Sequence, residues 1–315
     1  MTTCQAVIEA LDSFMPFDCV ARKDNSGLLV GEPSASVDNV LFAVDLTEAV
    51  IEEAIRRQCQ MIVTHHPIMG KGIRQVTPGS YEGRAVMTLI RHGIAFVVCH
   101  NNLDFLPGGT ADTLMKAVGA PVSRPLYDGY GFLATTPEES HALSIPVPDK
   151  PGLPPGTLAM FGTVGELAEP CTLAELLRRL HGVVTGPVNV VGTDDRRIRS
   201  VAVQVGAGGR ADIDQARSRG ADLLITGDVR HDDRLYASEA GLALLDFCHY
   251  EVELPGIVSL AGKLQSALDQ ARLAVRIMLS EAPAPVRHLR MPDRLDPTRF
   301  ALRTPIRQPV TNLHE

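Results

Sequence analysis

A chain of 315 residues with 45% hydrophobic and 21% charged residues is long enough for two domains, or for one domain of two lobes around a sizeable core. Its net charge of −7, from 30 basic and 37 acidic residues, argues against a broad nucleic-acid footprint, and 4% aromatics with no tryptophan argue against stacking platforms for single strands. The start MTTCQAVIEALDSF lacks the basic and apolar runs of a signal peptide, and no stretch reaches bilayer length. The six cysteines show no C-x-x-C spacing, so reduced thiols in the cytoplasm are the simpler reading.

The N-terminus follows a helical period instead. Residues 37–45 then read as a strand, and 47–58 as a helix with Thr47 as N-cap. Residues 60–67 form a short buried strand ended by Pro67, and 83–93 a helix closed by Gly93. Residues 94–104 read as a buried strand running into a loop, and 110–119 as a helix. The stretch 125–190 holds many Pro and Gly residues, with an exposed loop near 147–156, a strand-like LAMFGTVGEL and a helix at 172–182. Alternation resumes with strands at 199–209 and 221–228 and helices at 211–220 and 231–241. Residues 242–253 read as a strand running into a loop, 254–271 as a helix and 273–279 as a strand. This pattern predicts an α/β protein of two similar lobes: 1–125, a connecting module 126–190, a second lobe 191–280, and a Pro- and Arg-containing tail 281–315. The tail reads as a loosely packed extension or an arm onto a neighbouring subunit.

The lobes echo each other where chemistry would sit. MIVTHHP (61–67) matches LLITGDV (223–229), and GIAFVVCHNNLD (93–104) matches GLALLDFCHYEVE (241–253). Each second segment holds Cys-His with an acid four residues after the His: His100/Asp104 and His249/Glu253. Open α/β sheets bind ligands at the C-terminal ends of their strands, which is where these groups fall.

Singly, each cluster has an ordinary reading. His65-His66 can be two loop-end histidines, Asp104 a turn aspartate, and His249 and Glu253 the start of a surface helix. Together they place imidazoles and carboxylates at three strand ends. Three imidazoles and two carboxylates able to bridge suit a pair of borderline divalent ions such as Zn, Fe, Mn, Co or Ni. Asp45, at another strand end, reads as a general base or supporting group beside the ligands or as a plain turn residue, and Asp228 is its counterpart in the second lobe with the same readings. The turn VGAGGRADI (205–213) is either a phosphate cradle or an ordinary strand–helix turn.

Several stretches carry a resemblance: DNSGLLVG (24–31), VDLT (44–47), VTHHPI (63–68), HNNLD with GG (100–109), VGAGG (205–209), GADLLITGDV (220–229) and CHYEVE (248–253). In this order they resemble the NIF3-like proteins, often labelled GTP cyclohydrolase 1 type 2 homologs. The resemblance implies two divalent metal ions in a two-lobed α/β fold with mixed sheets. The implied ligands are His65, His66, Asp104, His249 and Glu253, with His100 beside them, and the implied assembly is a toroidal homohexamer. It also implies a metal-dependent hydrolase acting on a nucleotide or related small molecule, the label pointing to opening of the imidazole ring of GTP. The alternative is a non-catalytic ring that carries metal or binds a regulatory protein partner. Three positions depart from the family pattern. His231-Asp232 stands where many members have His-His, Cys248 where Gly is usual, and Val252 where Thr is usual.

Overall fold

Short apolar strands and amphipathic helices alternate as the sequence predicts, in a computed structural model that describes residues 1–19, 24–68, 75–127, 145–146, 150–284 and 286. Helix α1 (Cys4–Asp12) begins behind Thr3, whose hydroxyl accepts from the Ala6 N–H. There follow β1 (Gly27–Val30), β2 (Asn39–Ala43), α2 (Glu48–Arg56), β3 (Met61–Thr64), α3 (Tyr81–His92), β4 (Ala95–Val98), α4 (Asn101–Phe105) and α5 (Thr110–Val118). The middle holds β5 (Val122–Pro125), β6 (Ile145–Pro146), β7 (Leu158–Ala159), β8 (Thr163–Thr172), α6 (Leu173–Leu180) and β9 (Val188–Val191). The rest is β10 (Arg197–Ala207), α7 (Arg210–Ser218), β11 (Leu223–Gly227), α8 (His231–Glu239), β12 (Ala243–Phe247), α9 (His249–Gln270) and β13 (Arg276–Leu279).

Two mixed sheets carry the fold. The first runs β1-β4-β3-β2-β13, all parallel except β1; the second runs β5-β8-β10-β11-β12-β9, with β10, β11 and β12 parallel and the others antiparallel to their neighbours. Parallel strands covered on both faces must be apolar on both faces, and β3 and β4 are buried at every position. Alternate residues divide the work. Val40, Phe42, Met61, Val63, Ala95 and Val97 pack with α1 and α9, while Leu41, Ile62, Phe96 and Val98 pack with α2 and α3. The second sheet repeats this: Val201, Val203, Leu223, Ile225 and Leu245 face α5 and α6, and Ala202, Leu224 and Leu244 face α7 and α8.

Register fixes where the strands end. Ala43, Thr64 and Val98 lie in one row of the first sheet, and Ala207, Gly227 and Phe247 in one row of the second. The residues just beyond each row therefore emerge side by side. Helix α9 packs against α1, α5, β2, β10 and β13, so it belongs to the layer between the sheets.

Three elements differ from expectation. The loop after β4 is a short helix, α4, which carries Asp104. Helix α9 starts at His249 rather than 254, so Pro255 lies inside it and leaves the Glu251 carbonyl without its usual helical donor. Strand β13 joins the first sheet beside β2, although it follows the second lobe in the chain. The buried Glu53 carboxylate on α2 locks it there, accepting from the Ser280 hydroxyl and from the N–H groups of Glu281 and Ala282 at 2.6–3.1 Å. The stretch 150–156 is largely exposed, as expected, while residues 147–149 and the tail beyond 286 lie outside the described residues. All six cysteines are free, and among the described residues no helix is long and apolar enough to cross a membrane.

Candidate metal centre

Beyond β3 the chain turns sharply. The N–H groups of His65 and His66 both donate to the Val44 carbonyl, at 3.1 and 3.0 Å, and the Thr64 hydroxyl donates to the His66 carbonyl at 2.9 Å. Successive strand side chains normally point to opposite faces; this turn sends both rings to one side, with centroids 4.8 Å apart. Asp104 comes from α4, where the Thr110 hydroxyl donates to its Oδ1 at 2.7 Å. His249 and Glu253 lie one turn apart on α9 and share a face, with His249 Nε2 3.0 Å from Glu253 Oε1.

Glu253 is the hub. Its carboxylate lies 3.3 Å from His65 Nε2, 3.1 Å from His66 Nε2 and 3.0 Å from His249 Nε2. Asp104 Oδ1 adds a contact at 3.6 Å to His65 Nε2, and the Nε2 atoms of His66 and His249 face each other at 3.2 Å. The five residues singled out from the sequence thus converge, two lobes contributing to one cluster.

The opposite nitrogen of every ring is tied back. His65 Nδ1 donates to the Cys99 carbonyl at 2.9 Å. A carbonyl only accepts, so Nδ1 carries a proton, and in the neutral ring Nε2 keeps a lone pair. His66 Nδ1 meets Asp45 Oδ1 at 2.8 Å, and His249 Nδ1 meets Asp228 Oδ2 at 3.2 Å. Asp228 holds this place in the left-handed region, with φ of 50°, and its Oδ1 also accepts the His249 N–H. Such outer acceptors fix the tautomer and orientation of a metal-binding imidazole and raise its basicity.

The donor set fits a divalent cation. Two buried atoms of the cluster, His65 Nε2 and Glu253 Oε2, make no hydrogen bond of good geometry although polar neighbours lie 3.1–3.3 Å away, which is costly unless something else meets them. Donors about 2.0–2.1 Å from one tetrahedral ion lie roughly 3.3 Å apart, which is the spacing seen around Glu253. Without an ion, protons take its place. Burial pushes the His65 imidazole down, but Asp104 and Glu253 outweigh it and raise its pKa to about 9. Burial also opposes His66, yet Asp45 and Glu253 raise it to about 10. For Glu253, burial is overcome by His65, His249 and His66, which hold the carboxyl well below its usual range.

The glycine turn 205–209 forms a wall of this centre. Gly206, at φ of 78°, is so close that a Cβ there would lie 3.2 Å from Glu253 Oε1. The Gly209 N–H at the start of α7 is capped by Asp212 Oδ2 at 2.8 Å, so that helix end already carries its own anion, against the phosphate-cradle reading. Asp24 was missed by sequence reasoning: it sits 76 residues from His100, yet its Oδ1 binds His100 Nδ1 at 2.5 Å. Its only signal was the stretch DNSGLLVG (24–31) among the segments that carry the family resemblance. Of the departing positions, His231 and Asp232 are exposed at the start of α8, Val252 is buried in the second core, and Cys248 occupies the N-cap of α9.

Comparison with known proteins agrees with this architecture. The family described as Duf34/NIF3 (NGG1p interacting factor 3) matches residues 2–285. A Streptomyces coelicolor protein named GTP cyclohydrolase 1 type 2 homolog is 34% identical over 289 residues, covering 89% of this chain and 92% of the relative. A Clostridium acetobutylicum protein of the same name is 30% identical over 272 residues, covering 86% and 92%. Among solved structures, a Bacillus cereus protein related to NIF3 superposes with a TM-score of 0.76 at 24% identity, covering 91% of this chain and 99% of that one. At that identity the likeness concerns the fold.

Proposed function

The chain belongs to the Duf34/NIF3 family, and from that premise we propose that it is a dinuclear metal-dependent hydrolase acting on a nucleotide or a related small molecule. The observation that carries this reading is the convergence of three Nε2 atoms on Glu253, each ring tied back through Nδ1. His65, Asp104 and Glu253 would hold one ion, and His66, His249 and Glu253 the other. Divalent ions at these positions supply Lewis acidity and lower the pKa of water. The chain's own part is to fix the donors: Asp45 and Asp228 orient His66 and His249, and Gly206 leaves room beside the carboxylate. The partly exposed rings of His66 and His249 mark the side from which a substrate reaches the centre.

A toroidal homohexamer and a cytoplasmic setting belong to the same proposal; free cysteines go with the second, and light scattering tests the first. The decisive experiment is turnover by the metal-loaded chain across a panel of GTP, other nucleotides and phosphoesters, with and without chelator. Hydrolysis lost on chelation and regained with added metal is expected. A flat panel on a protein holding about two ions per chain sinks the hydrolase and leaves the metal-carrying or partner-binding ring standing.

A further inference from the structure

Helix α9 runs on well past the metal centre. About 15 Å along it from Glu253 stands Lys263, in the wall of an open cavity. The cavity, about 1140 Å³, lies between α1, the Pro107-Gly108 turn, the 151–154 loop and the C-terminal half of α9. Small-molecule pockets run to about 300–1,000 Å³, so a metabolite-sized ligand has room here.

Lys263 is the charge that this cavity leaves unanswered. Its Nζ donates to the Gly108 carbonyl at 2.9 Å, but an ammonium has three protons and a carbonyl does not neutralise it. Among the described residues, Lys116 pairs with Asp112 at 3.1 Å and Lys150 with Asp12, while Lys263 pairs with no carboxylate. Burial and the nearby Lys116 push its pKa down, against a smaller opposing pull from Asp112. Asp112 is already engaged, accepting the Gly108 N–H at 2.6 Å as well as facing Lys116. Glu9, the other acid of the wall, is exposed on α1 and accepts from the Gln5 amide at 3.0 Å.

A lysine that merely covers its helix carries its ammonium out to water. Here the chain holds it in the wall instead. Gly108, at φ of 76°, makes the room, because a Cβ there would overlap the ammonium. Ser259, one turn earlier on the same face of α9, adds a hydroxyl to the same cavity.

We propose that this cavity is a ligand site separate from the metal centre, taking a phosphoryl-bearing small molecule whose anion is held by Lys263 with Lys116 and the Ser259 hydroxyl. A phosphomonoester carries close to two negative charges at neutral pH, enough to answer both ammoniums. Lysine meets phosphate as a point charge and needs no planar fork. The site does not depend on the metal reading.

The test is carbon-13 NMR of the full chain as purified, with its lysines labelled. Five lysines give five side-chain signals, and Lys263→Arg identifies its own by loss. Titration with glycerol 3-phosphate is expected to move the Lys263 and Lys116 signals saturably and to raise the pH at which Lys263 titrates. Binding at the metal centre alone leaves both signals still, and overturns the proposal. The midpoint read on Lys116 should weaken about 10-fold in Lys263→Met and be largely kept in Lys263→Arg, the size of one charged hydrogen bond. Movement matched by chloride at equal ionic strength is screening and sinks the site. A Lys263 signal that changes on diluting the protein gives the wall to a contact between copies, and sinks it too. The wild-type titration decides whether or not a variant folds.

Discussion

The two halves of the centre are built from the same side-chain types and differ in what covers them. His65, Asp104 and Glu253 form the closed half, with side-chain exposures of 0%, 14% and 3%. His66 and His249 form the open half, at 27% and 31%, backed by the still more exposed Asp45 and Asp228. A buried donor left unpaired is expensive, whereas an exposed one can be met by water. On the proposed two-ion reading, the closed half should therefore hold its ion tightly and depend on it for stability, while the open half exchanges its ion.

Glu253 belongs to both halves, so changing it should have the largest effect. Glu253→Gln is expected to take the metal content from about two ions per chain to almost none by elemental analysis. Retention of one ion would show that the carboxylate is not shared. Next come the single imidazoles. His65→Ala should lose the closed-half ion and about 3 kcal/mol of stability in denaturant titration, because it removes the buried imidazole that faces Glu253 and Asp104. His249→Ala should lose only the open-half ion, with the denaturation midpoint nearly unchanged. Equal losses in the two variants would abolish the distinction. A milder change sharpens it: Asp228→Asn should weaken one ion about 10-fold in equilibrium dialysis and leave the other alone. The smallest effect is expected for Gly206→Ala. Its Cβ would sit 3.2 Å from Glu253 Oε1 at a backbone φ of 78°, costing roughly 1 kcal/mol in a thermal melt of the metal-loaded chain.

Much of this was legible in the sequence because strand ends announce themselves. Apolar runs stop at Thr64, Val98, Gly227 and Phe247, and the polar residues just beyond are the ones that gather. Their place at strand ends also pointed to Asp45 and Asp228, which stand behind the rings of His66 and His249. What stayed hidden is long-range or carried by the backbone. The Cys99 carbonyl that sets the His65 tautomer has no residue signature. Asp24 meets His100 only after β1 pairs with β4. Pro255 read as the start of a helix, whereas α9 begins early enough to put His249 and Glu253 on one face.

Strand β13 bears on how such a centre comes into being. It is the last strand of the first sheet, yet it leaves the ribosome after everything else in that sheet. Until it arrives, β2 is a bare edge, and the clasp at Glu53 has nothing to hold. The His65-His66 turn likewise waits for α9, which brings Glu253. A nascent chain therefore displays the His65-His66 pair long before α9 and β13 have emerged to complete the cluster around it.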